Sequence, residues 1–130
     1  MIALDTNILV RYLVEDDARQ ARLARELIED RLTESEPGFI SLPVLCEIVW
    51  ALRHVYHRSR ADVARAVGLL LQARQIEIEE QALVGRALQH EASDIADALI
   101  HEVGQAAGCV KTMTFDRSFA RLNGVELLRS

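Results

Sequence analysis

The chain has 130 residues, half of them hydrophobic but only 5% aromatic, and 27% charged. That is the usual size of one domain with a core of Leu, Ile, Val and Ala; it is too short for two independent cores, and the composition excludes disorder. Fifteen basic and 20 acidic residues leave a net charge of −5, which argues against a generally basic nucleic-acid-binding surface unless bound cations offset converging acids.

The apolar runs Val44–Leu52 and Val67–Leu71 are broken well short of the roughly 18 positions a membrane span needs. The segment Met1–Asp5 has no basic region followed by an apolar stretch, so neither a signal peptide nor a membrane association is expected, and the cytoplasm is the expected location. Cys46 and Cys109 form no Cys-x-x-Cys pair. Their apolar neighbours predict buried free thiols in a reducing compartment.

In chain order, Met1–Leu4 reads as a short buried strand with Asp5 at its carboxyl end, and Thr6–Val14 as a short helix. Asp16 and Asp17 supply capping acids to a helix over Ala18–Leu32, in which Ala21, Ala24, Leu27 and Ile28 recur at helical spacing. Glu36-Pro37-Gly38 signals a turn before a second strand, Phe39–Ser41. Pro43 fits the first turn of a helix that runs to about His57. Ser59 or Arg60 opens another through Ala73, Gln75–Ile78 is a third strand, and Gln81–His90 is a further helix. Ser93 is the N-cap candidate for a helix that begins Asp94-Ile-Ala-Asp and ends near Gly104–Gly108. Val110–Thr114 and Val125–Leu128 are the fourth and fifth strands, flanking a helical turn over Asp116–Leu122. Short strands alternating with helices predict an α/β fold: three α/β/α layers around a central parallel five-stranded sheet.

In such sheets ligands gather beyond the carboxyl ends of the strands. Asp5 and Asp116 follow the first and fourth strands, Glu47 lies about one turn into the helix after the second, and Asp94 and Asp97 share one surface of the helix leading into the fourth. Glu47 and Asp97 are set in otherwise apolar sequence, where a lone carboxylate is costly unless it is paired or ligates a metal. Carboxylates that converge repel one another unless divalent cations lie among them, and oxygen donors without His or Cys favour Mg²⁺ or Mn²⁺. Such a site suits phosphodiester hydrolysis without a protein nucleophile. Each acid also has a plainer reading. Asp5 and Asp116 serve as helix caps, Asp94 and Asp97 as first-turn acids, and Glu47 as a partner of Arg53 or Arg11.

The segments Ile2–Leu13, Ile40–Leu52, Asp94–Ile100 and Thr112–Arg117 resemble, in order, the four motifs of PIN-domain proteins. The resemblance implies a PIN fold over residues 1–130 as a single domain, and Mg²⁺- or Mn²⁺-dependent endoribonuclease activity. At this size it is most similar to VapC-type toxins of toxin–antitoxin pairs. It implies Asp5, Glu47, Asp97 and Asp116 as catalytic and metal-binding acids, Asp94 as an auxiliary metal residue, and Thr6, Asn7 and Thr114 as accompanying polar groups. An RNA substrate (tRNA or ribosomal RNA), a cognate antitoxin, and a homodimer or a higher toxin–antitoxin assembly follow as implied partners. Arg117 and Arg11 are the first candidates for phosphate contacts, with Arg53, Arg58, Arg60 and Lys111 behind them. The alternatives are an RNA-processing nuclease without an antitoxin and a catalytically silent partner-binding subunit. An aspartyl-phosphate phosphatase would need an acid where Asn7 stands. A receiver-like phospho-acceptor domain would need its lysine at the other end of the fourth strand from Lys111. A P-loop is absent. His54, His57, His90 and His101 complete no zinc site and read as surface or helix residues, and Trp50 and Tyr56 as core or dimer-interface residues.

Overall fold

The computed structural model describes residues 1–130, which form two compact units, Met1–Gln81 and Ala82–Ser130. In the first, β1 (Ile2–Ala3), β2 (Gly38–Ile40) and β3 (Ile76–Ile78) make a parallel sheet in the order β1-β2-β3, with Ile2 opposite Gly38 and Ile40 opposite Ile78. Parallel neighbours need crossover connections. Helices α1 (Thr6–Val14) and α2 (Ala18–Arg25) provide one, and α3 (Leu42–His54) and α4 (Arg60–Gln72) the other. Leu9, Ile28, Ile40, Leu45, Ile48 and Val63 are at most 1% exposed and form the centre of this unit's core. Gly38 is needed there because a Cβ would stand 2.7 Å from both the Leu4 and Leu32 side chains.

The helix expected over 18–32 does not run through. After α2 the backbone widens into a π-helical turn, Glu26–Arg31, in which the Leu32 N–H donates to the Leu27 carbonyl five residues back. Leu32 then leaves in extended conformation and buries its side chain, so the wide turn ends the helix while keeping both Ile28 and Leu32 in the core. Ser41 and Ser59 cap α3 and α4 through their hydroxyls, each accepting a backbone N–H of the first turn.

The second unit holds most of α5 (Gln81–Leu88), then α6 (Ile95–Ala106), β4 (Thr112–Thr114), a 3₁₀ turn (Phe119–Arg121) and β5 (Val125–Leu127). β4 and β5 pair in parallel, with Thr112 opposite Val125. The five strands occur as a three-stranded sheet and a two-stranded pair, not hydrogen-bonded into one five-stranded sheet. Each strand is only two or three residues long, so a few ladder bonds decide where a sheet stops.

Several expectations change. Asp94, not Ser93, caps α6: its Oδ1 accepts from the N–H groups of Ala96 and Asp97 at 2.9 and 3.2 Å. The Ser93 hydroxyl instead donates to the His90 carbonyl and closes the preceding turn. His101 is a core residue, 2% exposed, because its Nδ1 has a partner inside, Thr112 Oγ1 at 2.9 Å. Gly124 takes a positive φ of 89° directly beneath that ring, where a Cβ would lie 3.0 Å from His101 Cε1. Cys46 is half-buried and Cys109 exposed, because Cys109 follows the end of α6 rather than lying on its inner face. Trp50 is 58% exposed and so is no core residue. No helix is long and apolar enough to cross a membrane.

Glu102 falls one heptad after Ile95 on the inward face of α6, which places a carboxylate in apolar surroundings. His90 Nε2 donates to its Oε1 at 2.8 Å and Arg86 Nε to its Oε2 at 3.2 Å. Burial pushes its carboxyl up, but these two donors outweigh that and hold it below the usual carboxylate range. A carboxyl depressed in the folded state stabilises it above the ordinary carboxylate pKa, and that contribution is lost as pH falls through the depressed value. Glu102→Gln should therefore cost about 1–3 kcal/mol in urea unfolding at pH 7. The difference from wild type should shrink below about pH 4.

Candidate active site

In the first unit Asp5 follows β1 and caps α1, its Oδ1 accepting the Thr6 N–H at 2.8 Å. Thr6 is buried, and its Oγ1 donates to Glu47 Oε2 at 3.1 Å, which ties the start of α1 to the second turn of α3. Glu47 has no ion pair, so the expected pairing with Arg53 or Arg11 does not occur. Arg11 donates to Gln20 at 2.6 Å, Asp16 at 3.0 Å and Tyr56 at 3.1 Å; Arg53 donates to the Arg58 carbonyl. Glu47 is also exposed, despite its apolar sequence neighbours, because the helix turns Leu45, Ile48 and Val49 inward and leaves position 47 outside. Asn7 is exposed one residue beyond Thr6, at the mouth of a cavity of about 530 Å³ between α1 and α2 that Arg11, Leu23 and Leu27 also line.

In the second unit Asp116 closes the turn after β4. Its Oδ1 accepts from the N–H groups of Ser118 and Phe119 at 2.8 and 3.3 Å, while its own N–H donates to Thr114 Oγ1 at 3.0 Å. Asp97 lies half-buried in the first turn of α6, three residues after Asp94. Burial pushes its carboxyl pKa up, and the negative charges of Asp94 and Asp116 push it further in the same direction. A position in the first turn of a helix favours an anion; here desolvation and like charge win. Neither Lys nor Arg pairs with Asp94, Asp97 or Asp116. Arg117 is exposed beside Asp116.

The second unit therefore gathers three acids of the expected set, Asp94, Asp97 and Asp116, within electrostatic reach of one another. The first joins Glu47 to the Asp5–Thr6 corner. No three His, Cys, Asp or Glu side chains close to the distances of a coordination sphere. The donor set nevertheless suits a hard divalent cation, since it consists of carboxylate oxygens alone. The caps engage only Oδ1 of Asp5, Asp94 and Asp116, which leaves each with a second oxygen for a ligand. Sequence reasoning missed the donors that fix Asp116, the N–H groups of Ser118 and Phe119. An Asp followed by Ser at the second position is the turn signal that points to them.

The PIN domain model matches residues 2–125, and the chain belongs to the PIN domain family. PIN domains are generally nucleases, hydrolases acting on nucleic acids, and typically use divalent metal ions. No curated protein matches the chain.

The raised carboxyl of Asp97 fixes a sign. A carboxyl whose folded pKa lies above its unfolded value stabilises the fold below the unfolded pKa and loses that contribution as pH rises through the folded one. At pH 7 the ionised group is a liability, so Asp97→Asn should raise Tm by a few degrees. The gain should vanish when the melt is repeated below about pH 4. A variant that melts lower than wild type at pH 7 would contradict the repulsion.

Proposed function

We propose that this protein is a metal-dependent endoribonuclease, the toxin of a VapBC-type toxin–antitoxin pair, with residues 1–130 acting as one PIN domain. The observation that carries the reading is Asp97: a half-buried carboxylate facing two further acids and no base, in a chain of the PIN family. A divalent cation is the species that relieves such repulsion. Asp5, Glu47, Asp97 and Asp116 would hold Mg²⁺ or Mn²⁺, with Asp94 auxiliary. When bound, the ion supplies water activation and charge neutralisation for phosphodiester hydrolysis.

The chain's own residues prepare the site before any ion arrives. Backbone N–H groups hold Oδ1 of Asp5, Asp94 and Asp116, and these caps leave the second oxygen of each unengaged. The Thr6 hydroxyl fixes Oε2 of Glu47, and the Thr114 hydroxyl holds the backbone just before Asp116. Arg117 is exposed beside Asp116 and is the candidate for a substrate phosphate. Arg11 is committed to Asp16, Gln20 and Tyr56, and offers less. The substrate class is RNA, with tRNA or ribosomal RNA as targets. The partners are a second copy of the chain and a cytoplasmic antitoxin, in a dimer or a larger assembly.

The purified protein should cleave RNA only with Mg²⁺ or Mn²⁺ present. Asp5→Asn and Asp97→Asn should each lower the rate by roughly two orders of magnitude or more while leaving the circular dichroism spectrum unchanged. Full cleavage by either variant, or in excess chelator, would overturn the assignment. Wild-type Tm should also rise in millimolar Mn²⁺, and rise less for Asp97→Asn, because only the folded state offers the site.

A further inference from the structure

The second unit carries a cleft of about 170 Å³ between the segment 90–93 and the 3₁₀ turn, lined among others by Glu91, Ser93, Ser118, Arg121 and Leu122. Both walls belong to the segments that present acids. Ser93 immediately precedes Asp94, the cap of α6. Ser118 gives its N–H to Asp116 at 2.8 Å, and the same residue lines the cleft. Arg121 is exposed and has no carboxylate partner, whereas Arg86 and Lys111 of the same unit are paired with Glu102 and Glu126. The cleft thus joins a guanidinium that forms no ion pair and a hydroxyl beside two of the acids; its one aromatic ring, that of His90, is tied through Nε2 to buried Glu102 at 2.8 Å. A guanidinium with a hydroxyl suits a phosphate.

We propose that this cleft binds a backbone phosphate of the RNA strand neighbouring the one that is cut, with Arg121 as its principal ligand and Ser118 as a second donor. The assignment rests on the ribonuclease reading. Arg121 acts on affinity and register, at a distance from the reacting atoms. Glu91 on the rim opposes the anion, so its charge limits the affinity and Glu91→Gln should tighten binding.

Inorganic phosphate titrated into the full chain without metal, followed by ¹H–¹⁵N NMR, should shift the amides of Ser93, Ser118 and Arg121, and Arg121→Ala should abolish those shifts. Binding of a short single-stranded oligoribonucleotide to Asp97→Asn protein should lose about 0.7 from the slope of log affinity against log salt when Arg121→Ala is added. Arg121→Lys should restore the slope. In cleavage assays Arg121→Ala should raise KM about fivefold with kcat unchanged. No amide shifts, or an unaltered salt slope, overturns the proposal; shifts with an unaltered slope mean an adventitious ion only. If the shifts and the slope change are found but wild type cuts no RNA, the phosphate cleft stands and the ribonuclease reading falls. If wild type cuts RNA and Arg121→Ala changes neither slope nor KM, the reading stands and the cleft falls.

Discussion

Every helix starts with backbone N–H groups that have no partner inside it, and in this chain aspartate oxygens answer that need where it matters most. Asp5 caps α1 immediately after β1, Asp94 caps α6, and Asp116 holds the turn after β4. A parallel strand that feeds a helix puts the orphan N–H groups just past the strand's carboxyl end. Asp5 does this after β1 in the first unit and Asp116 after β4 in the second, each at the kind of strand end where α/β folds bind ligands. The cap also does chemical preparation. It consumes one carboxylate oxygen, fixes the side-chain torsions, and leaves the other oxygen unengaged. Capping and the metal binding proposed above are consequently compatible roles for these acids, since each cap engages one oxygen and leaves the other unengaged.

The remaining two acids show how differently one residue type is treated. Glu47 is exposed and is steadied by one hydroxyl, that of buried Thr6. Asp97 is half-buried, without a base, and faces like charge. Glu102, in contrast, is the most buried acid of the second unit and is matched by two donors, His90 and Arg86. Where the chain needs an inert buried carboxylate it supplies the counter-groups. At Asp97 it withholds them, and burial together with two like charges raises the carboxyl pKa, as the cation site proposed above would require.

Much of the local structure was legible in the order of residues. The helices Thr6–Val14 and Arg60–Gln72 follow from apolar spacing and from their Asp and Ser caps, and the strand positions follow from short β-branched runs between turn signals. The four acid motifs were readable because their types and order are linear features. The misreadings share a cause. Ser93 and Asp94 both qualify as caps by type, and only the backbone angles decide which oxygen reaches the free N–H groups. Ala18–Leu32 has an unbroken helical pattern, yet after Arg25 the backbone widens into a π turn that side-chain spacing does not signal. His101 looked like a surface residue until Thr112 and Gly124, 11 and 23 positions away, were folded against its ring.

By itself, then, the sequence determined the helix periods, the turns, the membership in the PIN family and the identities of the acids, because each is set by neighbours within a few residues. Tertiary structure alone decided which acids are paired and which are frustrated. The Glu47 carboxylate meets Thr6, 41 positions away, instead of an arginine; Arg11 is drawn off to Tyr56, 45 positions away; and Asp97 feels Asp116 across the turn of a strand. Those outcomes depend on distances through space, and Coulomb and hydrogen-bond energies change steeply over a few ångströms.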